Sequence, residues 1–182
     1  MVFLNLEQLP DKARIVFETI RGRRSIRDYI DREIPYDYLK LIIEAGLWAP
    51  SASNLHPREF ILVRNKDMIR AVKLVSPGLS SNPAAIIVLC LDHVKASKGG
   101  RMGETMALLD IATSLQNMML MAYALGIGSC PIASFDKLAL KEILNLPDHI
   151  EPVLLLSLGY PRRWPKPPPR KNVEEVLHVD GW

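Results

Sequence analysis

A chain of 182 residues and 20.5 kDa, 48% apolar and 24% charged, has the size and composition of one globular domain with a sizeable core, and is unlike a disordered polymer. Its 23 basic residues exceed its 20 acidic ones by too little to indicate nucleic acid. The longest apolar stretch near mid-chain, Met118 to Leu125, is far short of the roughly 20 residues that a membrane span needs, so neither nucleic acid nor membrane is an expected partner.

In chain order, Met1 to Glu7 has no basic region followed by a sustained apolar run and does not read as a signal peptide. Cys90 and Cys130 lie outside any CxxC spacing and read as free thiols in a reducing, cytoplasmic compartment. Asp11 to Ile20 has the apolar spacing of an amphipathic helix ending before Gly22. A basic loop, Arg23-Arg24-Ser25-Ile26-Arg27, follows it. Pro35, placed at a first helical position, opens a second helix that runs to Trp48.

The turn formers Pro50-Ser51-Ala52-Ser53-Asn54-Leu55-His56-Pro57 lead into a strand at Glu59 to Val63. Asn65 caps a short helix through Val75, and Ala84 to Leu91 is an apolar run of central-strand length. A long helix spans Gly103 to Gly126. Its second half, Leu115 to Leu125, is apolar nearly all round, which implies burial beyond what one sheet supplies and so a subunit interface. Pro131 reads as ending a turn, Ser134 as capping a helix through Leu144, and Pro152 to Leu158 as a buried strand. Five prolines between Pro161 and Pro169 make the tail, from about residue 160, an extended arm. The expectation is a single domain over residues 1–182.

Several chemistries are excluded by pattern. Gly126-Ile127-Gly128 follows a helix and lacks a third glycine, so it is no dinucleotide fingerprint. His56, His93, His149 and His178 are scattered without metal-ligand spacing, and neither GxSxG nor a P-loop occurs. Three segments remain. Three guanidinium groups and a hydroxyl at Arg23 to Arg27 suit a phosphate dianion, although a solvated basic turn is the commoner outcome for such a cluster alone. Pro50 to Pro57 has small and amide side chains able to approach a flat heteroaromatic ring, or is an ordinary loop. Gly126 to Ser134 would present free backbone N–H groups at a helix start, or is a capped turn.

In this order and spacing the segments resemble the FMN-dependent nitroreductase family, from about Ile20 to Val176. The resemblance implies an α+β, three-layer fold: a central mixed or antiparallel sheet flanked by helices, in an intertwined homodimer with an extended C-terminal tail. It implies FMN as cofactor, NADH or NADPH as electron donor, and ping-pong hydride transfer to nitroaromatic, quinone or related small-molecule acceptors. Arg23, Ser25 and Arg27 match the family's RRSxR phosphate and ribityl motif, with Arg24 acting through its main chain. Arg170, with Lys171, matches a second cation on the phosphate. Pro50, Ser51, Ala52, Ser53 and Asn54 match the APSxxN loop that reaches the partner's flavin, and Pro131, Ile132, Ala133 and Ser134 match the loop against its central ring.

Before the second strand, many members carry a lysine or arginine beside the flavin's N1 and O2 edge; this chain has Ser80-Ser81-Asn82-Pro83. No side chain is an evident acid or base, so no catalytic residue is named, and no metal site is expected. Two other readings stay open. One is a specialised flavoenzyme of the same fold, such as a deiodinase or a flavin-fragmenting enzyme; the other is a non-catalytic nucleic-acid or anion-binding module built on the basic patches.

Overall fold

The computed structural model describes residues 6–182; the first five residues of the N-terminal stretch read above lie outside them. Four strands, β1 (Arg58–Val63), β2 (Ala85–Asp92), β3 (Gly128–Ile132) and β4 (Ile150–Gly159), form one sheet in the order β1-β2-β4-β3. Every pairing among these four strands is antiparallel. β2 is central, as its apolar run predicts, and it sorts its side chains by the period-2 rule. Ile87, Leu89 and Leu91 join one buried cluster, while Ile86, Val88 and Cys90 join another. The first is covered by α2 (Tyr36–Leu47) and α5 (Gly103–Ala124), the second by α3 (Lys66–Leu74) and α6 (Lys137–Leu144). This gives three layers with the sheet in the middle.

Local chemistry sets most boundaries. The Asn65 side chain accepts from the Asp67 and Met68 N–H groups at the start of α3. α1 (Asp11–Gly22) includes Gly22, and Pro35 is the N-cap of α2 rather than its first residue. α5 closes in a Schellman motif: Gly126, at φ +73°, donates to Tyr123 O, and Ile127 N–H donates to Ala122 O at 2.8 Å. A short helix, α4 (His93–Ser97), follows β2 directly.

Two expectations are corrected. Pro131 lies inside β3 opposite Leu156 and does not end a turn; β3 is an edge strand, where a missing N–H breaks no second ladder. Gly126 to Ser134 is therefore a helix stop followed by a strand, not a helix start. Ser134 does not cap α6 either. The Asp136 carboxylate accepts from Ala139 N–H, while Ser134 O accepts from Gly78 N–H at 3.1 Å.

Much of the apolar second half of α5 is buried within this chain, because α2 crosses it closely: a Cβ on Gly46 would lie 2.3 Å from Met118 Cε. The uncovered apolar surface is elsewhere, on α1 (Ile15, Val16, Phe17, Ile20) and at Leu108 and Leu109 of α5. No helix among the described residues is long and apolar enough to cross a membrane.

Candidate functional site

The basic cluster is built onto the sheet edge. After α1 ends, Arg23 is extended, Ser25 forms a parallel bridge to Ser129 of β3, and Ile26 N–H donates to Ser129 O at 2.9 Å. Ile26 is buried against Gly128, where an added Cβ would lie 2.8 Å from Ile26 Cβ. In an extended segment alternate side chains point apart, so an inward Ile26 directs Ser25 and Arg27 the other way. Tyr29 fixes the far end through its buried hydroxyl, which donates to Ile26 O at 2.7 Å and lies 3.0 Å from Ser157 Oγ.

Tyr123 gathers the remaining parts. A Cβ on Gly22 would lie 2.0 Å from Tyr123 Oη, and Trp164 of the tail meets the Tyr123 ring edge-on at 5.1 Å. The end of α1 and the start of the tail thus share one post. Beyond Pro161, which bridges Tyr29, residues 162–172 are exposed and form neither helix nor strand, Val173–Glu175 make one 3-10 turn, and Arg170 lies in the neighbourhood of Arg23. Burial, and then the Arg24 and Arg170 cations, hold the Arg23 guanidinium below its ordinary pKa. Lys171 sits next along on the exposed tail. Arg24 turns back, donating from Nη1 to Arg21 O and Arg23 O at 2.7 Å each, and its Nε is buried without a partner.

No ion pair among the described residues involves Arg23, Arg27 or Arg170. Like charges gathered without an acid between them repel, and an anion removes that cost. Cys130 lies within electrostatic reach of Arg23 and Arg27, but burial outweighs both cations and pushes its thiol up.

Along the same edge strand, Pro131 and Ile132 pair with Leu156 and Leu155, and Ala133 and Ser134 continue exposed beyond it. The turn before β2 is fastened there: a Cβ on Gly78 would lie 2.8 Å from Ile132 Cγ2. Ser76 Oγ in that turn is buried without a partner. At Asn82, where the sequence lacks a cation of its own, Lys73 of α3 donates to Asn82 Oδ1 at 2.6 Å.

Pro50 to Asn54 is anchored on the other side of the molecule by two residues that the sequence reading missed. Asp110 of α5, 7% exposed, accepts from Ser51 Oγ at 2.9 Å and from Ala52 N–H at 3.1 Å. Arg58, 4% exposed, donates to Leu47 O, Ala49 O and Pro50 O. Burial lowers the Arg58 pKa and Asp110 opposes it. A single acid between Leu109 and Ile111 was the available signal for Asp110. Between these anchors Ser53 and Asn54 adopt φ of 51° and 54°, left-handed backbone that costs a non-glycine residue energy.

This loop feeds β1, whereas Ser25 and Pro131 to Ser134 lie on or beside β3. β1 and β3 are opposite edges of a four-stranded sheet, about 14 Å apart at the usual strand spacing. One chain therefore unites Arg23, Ser25, Arg27, Arg170 and the β3 residues, and leaves Pro50 to Asn54 apart. No group of residues able to hold a metal ion occurs among those described.

The chain is similar to known proteins in sequence and in fold. The model of the nitroreductase family matches residues 20–95 and 76–160. A Thermus thermophilus protein named NADH dehydrogenase is 30% identical over 192 residues, covering 85% of this chain and 91% of that one. FMN reductase (NADPH) of Bacillus subtilis is 26% identical, covering 91% and 73%. A crystal structure from Parabacteroides distasonis superposes with a TM-score of 0.82 at 30% identity, covering 92% and 98%. The family match runs through the basic cluster, the Pro50 to Asn54 loop and the whole sheet, and the chain belongs to the nitroreductase family.

Proposed function

We propose that the protein is an FMN-dependent NAD(P)H oxidoreductase that works as a homodimer with two flavin sites at its interface. The observation that carries this reading is the cluster of Arg23, Arg27 and Arg170 near Ser25 with no carboxylate among the described residues paired to any of the three guanidinium groups. Relatives named FMN reductase (NADPH) and NADH dehydrogenase support the ligand and the donor.

The residues fit FMN. A phosphate monoester is a compact dianion, and planar guanidinium forks with a serine hydroxyl match its oxygens, each charge-assisted bond contributing about 1.5 to 3 kcal/mol. Arg23, Ser25, Arg27 and Arg170 hold the phosphate, Arg24 braces the turn through its main-chain bonds, and Lys171 adds charge from the tail. Pro131, Ile132, Ala133 and Ser134 offer an edge-strand backbone against the ring. When bound, FMN supplies two-electron redox chemistry, which no side chain of this chain provides.

The separation of Pro50 to Asn54 from the cluster supports the dimer. A second copy would bring its own loop to the site, held in shape by Asp110 and Arg58, and would cover the apolar face of α1. The loop then orients substrate and excludes water. Donor and acceptor use the same opening in turn, a ping-pong order, with nitroaromatic or quinone acceptors as the class to screen. No protein acid or base is assigned.

The test is purification followed by anaerobic titration. A yellow protein with flavin absorbance that NADH or NADPH bleaches, and that an acceptor recolours, is the expected result. A colourless protein that cannot be reconstituted with FMN overturns the reading.

A further inference from the structure

Past the basic cluster the chain crosses the strand ends. Ile30 N–H donates to Tyr160 O at 2.9 Å, and residues 29–34 then form one wall of a cavity of about 560 Å³. Its other walls come from Arg64 after β1, the first turns of α3, the segment just before β2, and Arg162. Neither Arg23, Arg27 nor Arg170 lines it.

The floor and the rim differ in character. Tyr29, Ile34, Ile69 and Pro83 are buried beneath, while Arg32, Arg64, Lys66, Arg70 and Arg162 are exposed around the opening with Asp31 and Glu33. Five cations and two acids line the recess, and two acids just outside the lining, Asp67 and Asp28, pair with two of the cations.

The pairing of those charges is uneven. Arg70 is paired with Asp67 at 2.8 Å, Arg162 with Asp28 at 3.3 Å, and Lys66 only loosely with Asp31 at 3.9 Å. Arg32 and Arg64 are in no ion pair among the described residues. Their guanidinium groups lie over aromatic rings, Arg32 at 4.0 Å from the Tyr160 centroid and Arg64 at 5.1 Å from that of Tyr36. A guanidinium carried over a ring keeps N–H donors at its edge, ordered and free to meet oxyanions. The N–H groups at the start of α3 do not compete, because Asn65 already accepts from two of them.

We propose that this cavity is a second ligand site, separate from the flavin cluster, for a small molecule bearing a phosphate or diphosphate group. Arg32 and Arg64 grip the oxyanion, Lys66 adds charge, and the apolar floor takes the carbon body. The volume falls within the range of small-molecule clefts. Asp31 and Glu33 on the same rim repel further phosphates, which favours one small anion over a polymer.

The probe is inorganic pyrophosphate, titrated calorimetrically into the purified protein with and without added FMN. One saturable site per chain that depends on Arg32 and Arg64 is expected under both conditions; without FMN the open Arg23 to Arg27 cluster offers pyrophosphate a second one, which Arg23→Ala/Arg27→Ala removes. The first site should weaken about tenfold or more in the Arg32→Ala/Arg64→Ala double variant and with added salt, while flavin content and the unfolding temperature stay unchanged. Arg32→Lys/Arg64→Lys should recover only part of the loss, since it keeps the charge without the planar fork. No saturable binding, equal affinity in the Arg32→Ala/Arg64→Ala variant, or pyrophosphate that only displaces FMN would overturn the proposal. Tighter Arg32- and Arg64-dependent binding of a single-stranded oligonucleotide would also overturn it, in favour of nucleic acid. The arm without FMN reads this site even if the flavin reading fails.

Discussion

Ser51 and Asp110 are 59 positions apart in sequence, yet the Ser51 hydroxyl donates to the Asp110 carboxylate at 2.9 Å while the neighbouring Ala52 N–H donates to the same group. Ser51 Oγ in turn accepts from His56 N–H at 2.9 Å, so one buried acid sets the shape of the whole turn. Asp110→Ala leaves Ser51 Oγ–H and Ala52 N–H without their acceptor. The expected cost is about 2 kcal/mol, a fall in unfolding temperature of roughly 4 to 8 °C by calorimetry. Flavin retention should fall with it if this loop completes the partner's site.

Arg23→Ala combined with Arg27→Ala separates folding from binding. Arg23 is held below its ordinary pKa first by burial and then by the neighbouring Arg24 and Arg170 cations, and no carboxylate among the described residues pairs with it. Removing the Arg23 and Arg27 guanidinium groups should leave the unfolding temperature of the flavin-free protein unchanged or higher, while FMN affinity drops by about tenfold or more. Unchanged affinity in a fluorescence titration would remove both residues from the site.

Gly128 is needed for space, since its φ is not positive. A methyl group there meets Ile26 at 2.8 Å, within the segment that seats Ser25. Gly128→Ala should cost about 1 to 3 kcal/mol through overpacking and should also weaken FMN binding. Gly100→Ala is the control for a glycine with open space around it but a left-handed φ of +64°; it should cost stability alone.

His93 links three elements: Nδ1 lies 2.8 Å from Glu104 of α5 and Nε2 lies 3.1 Å from Glu151 of β4. The Glu104 bond, and then that to Glu151, raises its pKa against a lowering by burial. A raised folded-state pKa stabilises the protein fully below the ordinary histidine value near 6.5 and loses that contribution as pH rises through the folded value. The difference in unfolding temperature between the native protein and His93→Gln should therefore be largest near pH 5 and shrink above neutrality. A pH-independent difference would show that the imidazole stays neutral.

The apolar face of α1 predicts the assembly. Phe17, Ile15, Val16 and Ile20 are all exposed on one short helix. Sedimentation should give a species of twice the 20.5 kDa chain mass, and Phe17→Glu should shift it toward monomer. A monomeric native protein would contradict the dimer.

The sequence by itself determined the elements whose signals are local. The apolar run of β2 and the Asn65 cap depend on nearby residues or on simple periodicity, and they appear where the pattern puts them. The basic cluster was legible too, since Arg23-Arg24-Ser25-Ile26-Arg27 gathers its guanidinium groups and hydroxyl in five consecutive positions; that it holds a phosphate is the proposal made above. Tertiary structure decided the rest. Pro131 became a strand residue because β3 is an edge, a status that depends on the order of all four strands. Asp136, not Ser134, is the cap because α6 begins at Lys137, which leaves Ser134 two positions before the N-cap while the Asp136 carboxylate reaches Ala139 N–H. Asp110 and Arg58 anchor Pro50 to Asn54 across the helix layer, and Tyr123 packs against Gly22 at the end of α1 and Trp164 at the start of the tail, which lie far apart in the chain. Such pairings follow from how layers pack, which separates residues adjacent in sequence and joins distant ones, and no local pattern records them.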